Sequence, residues 1–86
     1  MSFSSHRNAV FDETLPLEHR ASHARSCALH VANKLGLKRG DVSREVASRA
    51  GVDLERPEGT DQLLRAFGFL DDLRQGRARI EGAASS

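Results

Sequence analysis

The chain has 86 residues, which is enough for one small domain, and its single cysteine excludes an internal disulfide framework. The formal net charge of +1 argues against a strongly electrostatic nucleic-acid binder. We find neither an apolar run of the roughly 18–20 residues that span a bilayer nor the apolar core of a signal peptide, and we expect a cytoplasmic protein without membrane insertion.

The first fifteen residues are rich in serine and only weakly periodic. Their large apolar side chains are Phe3, Val10, Phe11 and Leu15. We predict that residues 1–15 form a mobile segment, with one short helix as the alternative.

A long helix is predicted over residues 17–35. Pro16 suits its first turn, Thr14 is placed to cap it, and Gly36 is a typical C-terminal cap. Between them no residue breaks the helix, and small or apolar side chains recur at helical spacing.

Two further helices are predicted over residues 40–50 and 60–75. The acidic connector "VDLERPEG" separates them, with Pro57 stopping helix propagation and Thr60 placed to cap the last helix. The polar stretch 77–86 is predicted to be a flexible tail.

No alternating strand pattern competes with these helices, so we predict an all-α fold. Its domain is a small bundle over residues 16–76, made of the three main helices with a possible fourth near the N-terminus. The charge is uneven: residues 31–50 carry five basic and two acidic side chains, whereas residues 51–75 carry three basic and six acidic ones. Either these halves complement each other on packing, or the basic part meets an acidic partner.

The predicted first helix carries His19, His23, Cys27 and His30 on one face. These side chains extend over about 16 Å of one helix, so they cannot all surround one ion. A tetrahedral site needs a ligand from elsewhere, such as His6 or a carboxylate, to complete His19 and His23. We predict no metal site, with the histidines bordering a neighbouring helix.

Catalytic motifs are missing from the sequence. We find no nucleophile elbow, no phosphate-binding glycine-rich loop and no dinucleotide fingerprint. We therefore predict that the chain is not an enzyme and needs no cofactor.

One alternative function is DNA binding by a helix-turn-helix. Ala32, Gly36 and Val42 match the key positions of this motif, and the recognition helix would run from Lys38 to Arg49. Against it, Gly40 falls in the first turn of that helix and Glu45 falls where an apolar residue is usual. We therefore expect nucleic acid to be an unlikely partner.

Two segments carry a resemblance to a known family. "VANKLGL", which contains Lys34 to Leu37, and "VDLERPEGTDQLL", which contains Asp53 to Pro57, lie in register with the regulatory zeta subunit of the alphaproteobacterial F-type ATP synthase. The stretch "FLDDLRQG" is similar to the end of that family's third helix. The resemblance covers roughly residues 17–76, and the N-terminal segment and the tail are shorter than in that family.

The resemblance implies a helical bundle that binds the α and β subunits of the synthase head and inhibits ATP hydrolysis. It places the inhibitory element in the N-terminal segment and allows weak binding of adenine nucleotide. The expected location is cytoplasmic, and peripheral at the inner membrane when bound. The candidate partner-binding residues are Phe3, Arg7, Val10 and Phe11 in that segment, and Lys34, Lys38 and Arg39 as a basic rim on the bundle.

Overall fold

The computed structural model describes residues 3–80. Its α-helices are α1 (Phe3–Phe11), α2 (Leu17–Leu35), α3 (Arg39–Glu45) and α4 (Thr60–Gln75). Since residues 3–80 contain no strand, the all-α prediction is confirmed, and α2 and α4 have the predicted limits. No helix in this range has the length and apolar character that crossing a membrane requires.

The predicted helix 40–50 consists of two joined parts. It begins at Arg39 as α3 and continues as one π-helical turn over Val46–Ala50. Val42 and Val46 point into the core, as the four-residue spacing predicts.

The central helix is α2, which contacts α1, α3 and α4. Its inner face is made mostly of small side chains, and small side chains let neighbouring backbones approach closely. The buried residues are Arg20, Ala21, Ala24, Cys27, Ala28, Val31 and Ala32.

The turn after α2 is a helix cap. Gly36 has a φ of +72°, which favours glycine, and the Leu37 N–H donates to the Ala32 carbonyl at 2.8 Å. This bond satisfies one of the last free carbonyls of α2, as the predicted cap requires.

The N-terminal segment differs from the sequence expectation. Instead of a mobile segment outside the bundle, the structure shows α1 packed on α2 and α4, with Phe3, His6 and Val10 buried. These positions are three and four residues apart, so they share one helix face. The short fourth helix is therefore present, and the bundle begins before residue 16.

The caps predicted for Thr14 and Thr60 are both wrong. The Thr14 hydroxyl and N–H donate to the Asp12 carboxylate, at 2.6 and 3.0 Å, and these bonds hold the pKa of Asp12 below its usual value. Thr60 is the first residue of α4 rather than its cap, and its hydroxyl accepts a bond from Arg20.

The stretch after α4 is partly ordered by the bundle. The N–H groups of Arg77 and Ala78 both donate to the Asp72 carbonyl, and Ile80 belongs to the core. The predicted flexible tail 77–86 therefore does not begin at residue 77, and its remainder lies outside the described residues.

Candidate functional site

A groove lies between α1 and α4, and we call it the α1–α4 groove. It is lined by three of the predicted partner-binding residues, of which Arg7 and Phe11 are exposed and Phe3 is buried. Its other lining residues include Leu64, Phe67, Gly68, Asp71 and Arg74.

Aromatic rings form the floor of the groove. Phe67 of α4 lies between two rings of α1, with centroid distances of 5.6 Å to Phe3 and 5.1 Å to Phe11. The contact with Phe11 is edge-to-face, which is a favoured arrangement for aromatic pairs. Phe3 and Phe67 are buried, whereas Phe11 keeps 45% of its surface exposed.

Two arginines stand over this floor. The Arg74 guanidinium lies 4.4 Å from the centroid of Phe3, and the Arg7 guanidinium lies 5.8 Å from that of Phe11. Both distances are within the range of cation–π attraction. The groove therefore presents an apolar centre with positive charge beside it, which suits a partner that is apolar and acidic.

The predicted partner-binding residues of α1 fall into two groups. Phe3 and Val10 are buried in the core, so they are not accessible while α1 is packed. Arg7 and Phe11 are exposed, so they can contact a partner without any rearrangement.

The residues of the predicted basic rim have different partners within the protein. The Lys34 ammonium donates to the Arg74 carbonyl at 2.7 Å, where it satisfies the C-terminal end of α4. Arg39 pairs with Glu55 at 3.1 Å. Lys38 directly precedes α3, and its backbone N–H donates to the Asp41 carboxylate.

Two residues of the groove were missed by reasoning from the sequence. Leu64 is 37% exposed and lines the groove. Gly68 stands at the groove surface, and a Cβ added there would have no atom within 4 Å.

Replacing Gly68 with alanine should therefore raise the free energy of unfolding by about 0.5–1 kcal/mol, because glycine is a poor residue for a helix interior. Chemical denaturation measures this gain. Gly40→Ala is the matched control for adding a methyl group to a helical glycine. Gly40 also has open space at its Cβ position, but it lies in α3, outside the groove. A loss of stability in Gly68→Ala would contradict the expectation.

The four histidines do not all lie together, although His19, His23 and His30 were predicted to share one face of α2. His6 of α1 contacts His23, with 2.9 Å between their Nδ1 atoms, and its ring centroid lies 5.5 Å from that of His30. His19 is exposed and lies apart on another concave surface, beside Arg25 and Arg56. Within residues 3–80 no group of three or more His, Cys, Asp or Glu side chains is arranged to hold a metal ion.

Cys27 is a core residue. Burial raises the pKa of its thiol to about 12, against a smaller opposing effect of Arg74. The thiolate is the nucleophilic form, so this environment does not favour a reactive cysteine.

The cations of the alternative DNA-reading helix are exposed, and each lies near a carboxylate of the protein. Arg44 lies 3.9 Å from Asp41, and Arg49 lies 3.9 Å from Glu45 and also donates to the Arg79 carbonyl. Together with the Arg39–Glu55 pair, these contacts place carboxylates beside the side chains that would face phosphates. DNA binding stays an alternative without a structural observation in its favour.

Comparison of the chain with models of known protein families, with curated proteins and with solved structures gives no match.

Proposed function

We propose that this protein binds the catalytic head of the F-type ATP synthase and inhibits ATP hydrolysis, with α1 as the inhibitory element. The observation that carries the proposal is the resemblance of two segments, Val31 to Leu37 and Val52 to Leu64, to the zeta family in register. Bound in this way, the protein would lie peripherally at the inner membrane.

The positions that carry the resemblance have structural roles, which supports a shared bundle. Gly36 and Leu37 cap α2, and Leu54 is buried while its carbonyl accepts a bond from Arg25 at 2.9 Å. Glu55 pairs with Arg39 and so ties the connector to α3.

The exposed face of α1 supplies the inhibitory contact in this proposal. Arg7 and Phe11 combine a cation with a large apolar surface, and arginine and aromatic residues are enriched among the dominant contributors to protein interfaces. They stand at the α1–α4 groove, so a segment of the synthase head that is apolar and acidic would contact both.

The test measures ATP hydrolysis by the isolated synthase head with increasing amounts of the protein. We expect inhibition by the unaltered chain, and about tenfold or greater loss of potency in Arg7→Glu and in Phe11→Ser. Point variants are used because deleting residues 1–15 would also remove the buried Phe3 and Val10.

Arg44→Glu is the matched control for charge, since Arg44 is exposed on α3 and α1 does not contact α3. It should inhibit as the unaltered chain does. The proposal fails if the unaltered chain neither slows hydrolysis nor co-purifies with the α and β subunits. If Arg7→Glu and Phe11→Ser inhibit as strongly as the unaltered chain, only the inhibitory role of α1 is refuted.

A further inference from the structure

A cluster of three histidines joins α1 to α2. His6 is 9% exposed, and its ring centroid lies 5.1 Å from that of His23 and 5.5 Å from that of His30. The Nδ1 atoms of His6 and His23 lie 2.9 Å apart, which is hydrogen-bond distance.

This bond depends on the protonation state of the pair. A hydrogen bond between two ring nitrogens needs one N–H donor and one bare nitrogen acceptor. A histidinium carries a proton on both of its ring nitrogens, so a pair of histidinium ions would bring two N–H groups and two positive charges together. The bond between α1 and α2 therefore forms only when at least one of the two rings is neutral.

Among the described residues, the charges that act on His6 are positive and do not compensate a second positive charge. On α2, His30 is the third ring of the cluster, and Arg20 binds the end of α1. On α4, Arg74 covers Phe3, and Asp71 is engaged by Gln75 and Arg77. The other cation on α1 is Arg7.

We propose that the His6–His23 pair is a proton-sensitive latch, which stabilises the packing of α1 on the bundle at neutral pH and weakens that packing on acidification. Opening of α1 exposes its apolar face, with Phe3 and Val10, and uncovers Phe67 of α4. The latch is a property of the chain alone and does not depend on the identity of the partner.

The direction of the pH dependence follows from His6. Burial, and then the charges of His23 and His30, lower the pKa of His6 below its ordinary value. Packed α1 therefore binds fewer protons than released α1, so packing is fully favoured above pH 6.5 and weakens as the pH falls below it.

Amide hydrogen exchange tests the latch in the isolated protein, with a chelator present so that only protons act on the histidines. The measured exchange rates are first corrected for the intrinsic pH dependence of amide exchange. As the pH falls from 7.5 to 5.5, the opening of α1 should then increase relative to that of α4, by up to about tenfold for each histidine that must be neutral. The amides of residues 7–11 report this opening, because their N–H groups are bonded within α1.

The variants His6→Gln and His23→Gln should remove the pH dependence, because an amide side chain is neutral throughout this range. His19→Gln is the matched control, since His19 is an exposed histidine of the same helix outside the cluster, and it should keep the full dependence. Equal opening of α1 at both pH values in the unaltered chain, or a full dependence in His6→Gln, would overturn the proposal.

If a glutamine variant fails to pack α1 at any pH, an NMR titration of the histidines in the unaltered chain tests the latch instead. The latch requires the pKa of His6 to lie below its ordinary value of about 6.5. Titration of His6 at or above that value would also overturn it.

Discussion

Replacing Arg20 with alanine should lower the free energy of unfolding by about 2–4 kcal/mol. Arg20 is only 4% exposed, and its guanidinium links three helices. From α2, its Nε donates to the Val10 carbonyl of α1 and its Nη1 donates to the Thr60 hydroxyl of α4, both at 2.9 Å. Alanine would leave the Val10 carbonyl without this donor and leave a cavity where the side chain packs.

A loss of that size is a large fraction of the total for this chain, since domains of this length have free energies of unfolding of roughly 4–13 kcal/mol. Urea denaturation at neutral pH measures it. Amide exchange should also show that α1 loses more protection than α2, because Arg20 holds the end of α1.

Two variants sharpen this prediction. Arg65→Ala, at an exposed arginine of α4 whose bond to the Ala50 carbonyl is long at 3.4 Å, should cost less than about 0.5 kcal/mol. The cost of Arg20→Lys in the free energy of unfolding should lie between those of Arg20→Ala and Arg65→Ala. A lysine ammonium keeps the positive charge, but it lacks the planar guanidinium that donates to both acceptors at once. If Arg20→Ala and Arg65→Ala cost the same, Arg20 does not link the helices as its contacts indicate.

The sequence predicted the limits of α2 and α4 well because their signals are local. Both helices have apolar residues at helical spacing, and both are followed at once by a glycine with positive φ, Gly36 and Gly76. Such patterns depend on neighbours along the chain and not on the rest of the fold.

The packing of α1 was not predictable in this way. Its nine residues have no acidic residue in the first turn and only three buried positions, and its packing depends on contacts with Phe67 and Arg20 from other helices. Arg20 itself carried a readable signal, because it stands four residues before Ala24 on the inner face of α2. A charged residue at an inward position indicates a buried role, but its acceptors are 10 and 40 residues away.

The candidate site shows the same limit. A run of basic residues in the sequence suggested one rim, but Lys34 binds the end of α4 while Arg39 pairs with Glu55. Which acceptor each cation meets is decided by tertiary packing, so composition alone cannot separate a docking patch from internal contacts.

Replacing Phe67 with alanine should cost about 3–5 kcal/mol in the free energy of unfolding, the largest effect that we expect from a single substitution. Phe67 is 5% exposed and contacts Phe3 and Phe11, so the substitution removes a buried ring and both aromatic contacts between α4 and α1. Denaturation measures the cost, and amide exchange should show α1 opening before α2 and α4.

Phe69→Ala is the matched control, because Phe69 lies two residues away on the other side of α4, where it is half-buried beside the Arg49 guanidinium. It should cost less than Phe67→Ala and leave the exchange of α1 unchanged. If Phe67→Ala does not fold, Phe67→Leu replaces it, since leucine keeps an apolar side chain but loses the ring contacts, at a cost of about 1–2 kcal/mol. Equal costs at Phe67 and Phe69, with the same exchange of α1 in both, would show that the aromatic floor of the α1–α4 groove does not hold α1 in place.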